Sequence, residues 1–511
     1  MKKISIALLA TFLTLNSCNN LDLVPLDKLT SENFYKTAAD FDGAIFASYS
    51  SIQDFWGTST ETLGEAGEYW KISVVTSDDV VADVEAGTDG ISRDADNLII
   101  RASDKPFAAV YTQIYEGILR ANLVLENLNN ENQLTPEQKS RFDGEAKFLR
   151  AFFHFEALKL WGTPPLATEV KRDLNNLALP NATQEQLYTQ ILADFTDAYN
   201  TLPATWDDAN KGRATKYAAQ AYIGKVNVWK KDWPAAITAF EDVIANGPFS
   251  LINTGNPAKD LDDVFAYNNE NNQEAIFEVQ FGGPFSDDNV WVFDDTHSEA
   301  FKATQGTTRS LYWDAGNGAP GGKSGWWAPS QELVSAYESG DARLNVYVYK
   351  TGDTYYTTTY DPVPYNPDWS MTGFTMKKYG GARNMVPADN SPNQQANFNN
   401  ERLYRFAELK LLYAEALLAQ GRTADATQQI NDIRNRAGLP NLAAGTDLTE
   451  ALRHEKRVEL AFEPHRWFDI VRWGIGSQVF GSKWQERYNL YPLPQTEIDR
   501  TGGTLKQNPG Y

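Results

Sequence analysis

Apolar residues recur at helical spacing over most of the chain and desert that spacing in two long stretches. Val110, Ile114, Ile118, Ala121 and Leu125 fall on one stripe, the three-and-four spacing of an amphipathic helix. This predicts a helix over residues 106–128. Comparable stripes predict helices over 41–55, 136–160 (with Pro136 in the first turn), 184–202, 216–230, 234–246, 403–420 and 424–437. The stripe fails between 57 and 105 and again between 249 and 400, where Gly, Pro, Asn, Asp, Trp and Tyr accumulate. A short strand-like run, Ala275–Val279, stands out in the second stretch. Structureless loops that long are uncommon in compact domains and are usually functional.

The helices come in pairs that resemble tetratricopeptide repeats. In the fifth and sixth, Ile223 and Gly224 stand on the first helix, and Ala236, Phe240 and Pro248 follow at the repeat's spacing. The small residue admits a close approach, the ring fills the groove, and the proline stops the second helix. Ala414, Leu417, Gly421, Ala426, Ile430 and Ile433 keep the same register. The expected fold is mainly α: a scaffold of four TPR-like helix pairs carrying a loop-rich, aromatic-rich inserted lobe. The expected organisation is N-terminal helices over 32–248 interrupted by the segment 57–105, a lobe over 249–400, and C-terminal helices over 401–511.

Charge narrows the partners. Against 67 acidic residues stand 46 basic ones, a net charge of -21. So acidic a surface repels nucleic-acid phosphates and anionic headgroups and weakly favours a neutral ligand over a polyanionic one. The start of the chain is expected to be a signal peptide over 1–17: Lys2 and Lys3, an apolar run over 4–15, then Leu15-Asn16-Ser17-Cys18. Cys18 is the only cysteine, and its placement is that of a lipobox, which makes it the expected lipidation site at the head of a tether over 18–31. Disulfides are excluded.

Catalytic constellations are poorly supported. The four histidines show no metal spacing, and no nucleophile elbow, P-loop or dinucleotide fingerprint is present. Neither a catalytic residue, a metal nor a cofactor is expected. Paired carboxylates such as Asp207-Asp208 and Asp294-Asp295 are read as solvated surface, since nothing selects one pair to face a sugar bond.

Several segments carry a resemblance. Glu455, Arg457, the run Glu459-Leu460-Ala461-Phe462-Glu463-Pro464-His465-Arg466-Trp467-Phe468-Asp469 and Arg472-Trp473-Gly474 resemble the C-terminal helix-pair motif of the SusD/RagB family. Tyr491-Pro492-Leu493-Pro494 and the ending Gln507-Asn508-Pro509-Gly510-Tyr511 are similar to that family's ending. Glu145-Ala146-Lys147-Phe148-Leu149-Arg150-Ala151, Leu160-Trp161-Gly162 and Arg120-Ala121-Asn122 match its scaffold. Pro464 departs from the family's usual glycine. The resemblance implies a surface-exposed outer-membrane lipoprotein that binds oligosaccharide or polysaccharide without hydrolysing it and caps a SusC-like TonB-dependent transporter. Peptide binding of the RagB type and a surface glycoside hydrolase remain as alternatives. It also implies a structural C-terminal motif, in which Arg466 and Asp469 are expected to pair with each other, or with Glu463 or Arg472.

A glycan site needs exposed rings to stack on sugar C–H faces and polar groups for the hydroxyls. Both inserted segments supply them: Tyr69, Trp70, Asp78 and Asp79 in the first, Trp291, Arg309, Trp313, Trp326 and Trp327 in the second. The resemblance implies that these segments meet in space. Each ring has a competing reading as core of the lobe, although Trp326 and Trp327, in their Gly-Lys-Ser-Gly context, are not both expected to be buried.

Overall fold

The computed structural model describes residues 34–56, 68–82, 90–173, 176–281, 312–315, 319, 325–356, 362–379 and 399–511. Helix starts follow local cap chemistry. α1 (Ala38–Phe55), α3 (Pro136–Trp161) and α4 (Gln184–Thr201) each begin at a threonine whose side chain takes the backbone N–H three residues on. The residue at that third position, Asp40, Gln138 or Gln186, reaches back to the cap's own N–H, which satisfies two orphan donors at once. α2 (Lys105–Leu128) carries Pro106 in its first turn. α5 (Lys216–Lys230) is capped by Thr215, and α6 (Trp233–Asn246) by Asp232.

After the lobe come α7 (Phe406–Ala419), α8 (Thr423–Arg436), α9 (Leu448–Glu459) and α10 (Arg466–Trp473). From α1 to α8 each helix packs on the next. Alternate helices also touch, α1 with α3 and α5 with α7, so that α1, α3, α5 and α7 form one inner layer. The close approach within pairs depends on glycine. A Cβ on Gly224 would lie inside the Phe240 ring's van der Waals envelope, and one on Gly117 inside that of Phe153.

The inner layer is covered by a strand pair. β2 (Ala275–Val279) runs antiparallel to β4 (Glu401–Arg405), and Phe277 sends its ring to within 5.0 Å of Phe148, 6.0 Å of Phe152 and 6.3 Å of Tyr222. Residues 403–405, expected to open a helix, are thus strand, because pairing with β2 holds them extended until Phe406. In the first inserted segment a helical turn, Glu68–Trp70, runs into a π-turn, Lys71–Val75, and β1 (Val80–Val81) follows. β1 pairs antiparallel with β3 (Ala328–Pro329) in the second segment. No helix among the described residues is long and apolar enough to cross a membrane.

Candidate functional site

The two inserted segments meet at the β1–β3 pairing. Ser330 donates its backbone N–H to the Asp79 carbonyl at 2.9 Å and its hydroxyl to the Asp78 carbonyl at 2.8 Å. Above this seam Tyr312 stacks on Trp327, with centroids 4.3 Å apart and planes 13° from parallel. Trp313 meets Trp327 edge-on at 5.4 Å, and Trp326 meets Tyr312 edge-on at 5.4 Å.

The stacking buries most of the rings expected to greet a ligand. Tyr69, Trp70, Trp313 and Trp327 are only 1–2% exposed, so none presents a bare face to water. The reason is mutual packing: Trp56 takes Tyr69 and Trp70 edge-on and tilted, at 4.7 and 5.7 Å, while Trp313 also meets Phe462 at 5.5 Å. Trp326 is the exception. It packs on the core yet stays half-buried. Trp291, Arg309 and Cys18 lie outside the described residues.

Asp78 and Asp79 have protein partners in place of a ligand. Arg466 grips Asp78 with both arms, Nε to Oδ1 at 2.7 Å and Nη2 to Oδ2 at 2.9 Å. Arg457 takes Asp79 Oδ1 at 2.7 Å and Asp78 Oδ2 at 2.9 Å. Burial pushes both carboxyls up. At Asp78 the Arg466 hydrogen bonds outweigh it and hold the group below its usual value, whereas Asp79 stays raised. Arg466 therefore pairs with Asp78, not with Asp469 or Glu463 as the sequence led us to expect. Asp469 binds Lys456 at 2.7 Å and, as expected, Arg472 at 2.9 Å. No local signal reveals the Arg466–Asp78 bond, whose partners stand 388 residues apart.

Behind the clamp lies a sealed charge network. Glu459 accepts from Arg405 at 2.6 Å and Arg436 at 2.5 Å; Glu463 accepts from Lys378 at 2.6 Å and Arg405 at 2.8 Å. Arg343 joins Asp341 at 2.7 Å to Glu455 at 2.6 Å, and Arg436 reaches Glu274 at 2.7 Å. Burial opposes charge on Glu459, but Arg436 and Arg405 hold its carboxyl far below the usual range. Burial takes the Lys378 ammonium down to about 8. Every charge has an opposite partner, which is the arrangement of a structural core. The sequence singled out Glu455, Glu459 and Glu463 but not Arg343, Lys378, Arg405 or Arg436, which come from other elements. Pro464 is accommodated because the left-handed position of this turn is Phe462, at φ 67°, so residue 464 needs none of glycine's freedom.

His154 is buried with its Nδ1 3.0 Å from the Arg150 carbonyl and its Nε2 accepting the Ala167 N–H at 3.2 Å, which fixes a neutral ring. Among the described residues no group of three or more His, Cys, Asp or Glu side chains could hold a metal.

A repeat scaffold with an aromatic seam and a charge-sealed C-terminal motif defines a class of binding module, and comparison places it. A sequence model of the SusD family matches residues 207–511, and one described as "Starch-binding associating with outer membrane" matches residues 51–228. The chain belongs to the SusD family. It is 27% identical over 547 residues to SusD-like protein P2 of Formosa agariphila, covering 100% of both chains. Over 120 residues it is 33% identical to the starch-binding protein SusD of Bacteroides thetaiotaomicron, covering 21% of each. The fold superposes on a crystal structure of a SusD-like protein from Bacteroides fragilis with TM-score 0.76 and 25% identity, over 95% of this chain and 100% of that one.

Proposed function

We propose that this chain is a cell-surface lipoprotein, anchored through Cys18, that captures oligo- or polysaccharide and passes it to a SusC-like TonB-dependent transporter without cleaving it. The observation that carries the reading is the aromatic seam: Trp326 stands half-buried beside the stacked pair Tyr312 and Trp327, at the junction of the two inserted segments. A half-buried ring offers stacking area, and the packed rings beneath hold it in place, which lowers the ordering cost of binding. The starch-binding descriptions of a matching family model and of one relative support glycan as the ligand class. Trp291 and Arg309 remain proposed ligand residues, and Trp70, Trp313 and Trp327 are proposed as packed support.

The test is retention in native gels containing soluble starch, laminarin or inulin. Trp326→Ala and Trp291→Ala, melting as wild type does, are expected to lose roughly 2- to 10-fold in affinity, the value of one stacked ring. Normal retention by both variants sinks this placement of the site. Reducing sugar released from the retained polymer sinks the non-catalytic reading, and tight binding of peptides in preference to all three polymers favours the RagB type.

A further inference from the structure

The inner layer of α1, α3 and α5 is covered by β2, but the cover stops short at the α1 end. A cleft of about 360 Å³ opens there between α1, the turn at residues 211–213 and the strand's exit at Phe281. That volume lies in the range of small-ligand pockets, roughly 300–1,000 Å³. We propose that this cleft is a second glycan subsite, which takes one sugar of a neutral polymer whose other contacts are made at the aromatic seam. The inference rests on the glycan-binding reading above.

The floor is apolar and rigid. Ile52, Phe277, Val279 and Phe281 are buried beneath it. Phe46 forms one wall and, at 52%, is the most exposed large hydrophobic side chain among the described residues. The Arg213 guanidinium sits 4.4 Å from its ring centroid, so the ring is held in place while half its surface faces solvent. Such a ring offers what a sugar C–H face needs.

The rim supplies hydroxyl partners. Gln53 donates its Nε2 to the Gln280 carbonyl, which leaves its Oε1 as an acceptor beside Ser50 and Lys211. The buried charge in the wall is engaged, with Arg213 binding Glu145 at 3.0 Å and Asp42 at 2.7 Å and Glu278 taking the Asn271 N–H at 3.0 Å, while exposed Lys211 stands at the rim. The net charge of -21 weakly favours a neutral polymer over a polyanion.

The cleft is also shaped in advance. Gln280 is locked by paired amide bonds with Asn271 at 2.7 and 2.9 Å. Gly212, at φ 91°, lies so close to it that any Cβ there would strike the Gln280 side chain. Preformed walls cut the entropy lost on binding. Two weak subsites on one polymer raise avidity through effective concentration without any tight contact.

The test uses the full chain, the polymer from the trial panel that retards wild type, and the matching trisaccharide. Phe46→Ala and Ser50→Trp, the second of which fills the cleft, are expected to weaken polymer retention roughly 3- to 10-fold at unchanged melting temperature. Trisaccharide binding, measured by calorimetry, is expected to fall in Trp326→Ala and to survive in the cleft variants. If both cleft variants retain the polymer as wild type does, the subsite is wrong, and a loss confined to Trp326→Ala leaves the glycan reading standing. If wild type binds none of the polymers, both readings fall together.

Discussion

Trp326 and Trp327 show what a residue type tells and what it withholds. The sequence marks both as candidate stacking rings. Leading into β3, Trp327 stacks flat on Tyr312 and is buried, whereas Trp326 meets the same ring edge-on and stays half-buried. Which is which depends on Tyr312 in the same segment and on the pairing of Pro329 with Val80, far away in the chain. His154 makes a sharper residue-scale prediction. Burial and nearby Arg150 lower its pKa from 6.5 to about 3. Between those values the unfolded chain binds a proton that the folded protein refuses. Stability present above pH 6.5 is therefore lost as pH falls toward 3, by about 1.4 kcal/mol per pH unit at most. His154→Gln, which can keep one donor and one acceptor, is expected to flatten the melting temperature against pH below about 6.5, as read by calorimetry across an acid series. Asp469→Ala strips a buried partner from Lys456, itself only 2% exposed, and is expected to cost about 3–5 kcal/mol while the folded fraction binds glycan normally. Thermal melts beside gel retention check both halves.

At the scale of elements, legibility follows the range of the interaction. The Gly224–Phe240 pair acts within a couple of dozen residues and its spacing is readable as written, whereas the three threonine caps, equally local, lie outside the apolar stripes that mark the helices. β4 is misread because nothing local separates its apolar residues from those of the following helix; its partner β2 lies more than a hundred residues upstream. The packing argument is testable by overfilling. Gly224→Ala is expected to destabilise by about 1–3 kcal/mol, and Phe240→Leu in the same chain to recover part of that, in paired denaturant titrations. The arginine clamp separates the two halves of the C-terminal motif. Arg466 holds the Asp78 side chain just ahead of β1, and Ser330, bonded to the Asp78 and Asp79 carbonyls, ties in the segment of Trp326, Trp327 and β3. Arg466→Met is therefore expected to weaken glycan retention as well as stability, and to speed hydrogen exchange at residues 78–82 and 328–330. Unchanged exchange there refutes the coupling.

For the whole molecule, the anchor and the partner are the properties to test. Cys18→Ala is expected to fold with the wild-type melting temperature and to leave the outer-membrane fraction after a high-salt wash; an alanine variant that still sediments contradicts the anchor. Purification in mild detergent from cells that also carry the transporter is expected to yield a joint complex, with free monomer alone as the contrary result. Fold class and scaffold were legible from periodicity because repeats depend on near neighbours. The candidate site was legible only as two segments, since the faces of its rings are set by contacts across the chain.

The sealed network has a consequence for the order in which the protein comes into being. Arg343, Arg405 and Arg436 are at most 1% exposed; Arg343 also has Asp341 and Arg436 also has Glu274, but the close acids of Arg405, at 2.6 and 2.8 Å, are Glu459 and Glu463. A growing chain that has not yet reached Glu459 and Glu463 cannot dehydrate the Arg405 guanidinium without stranding it, at a cost of several kcal/mol. The central core must therefore wait, wet and open, for a stretch that arrives late in synthesis. Protection of β4 and α7 in pulse-labelled exchange is then expected to appear together with that of α9, as a single closing event, and not in the order of the chain.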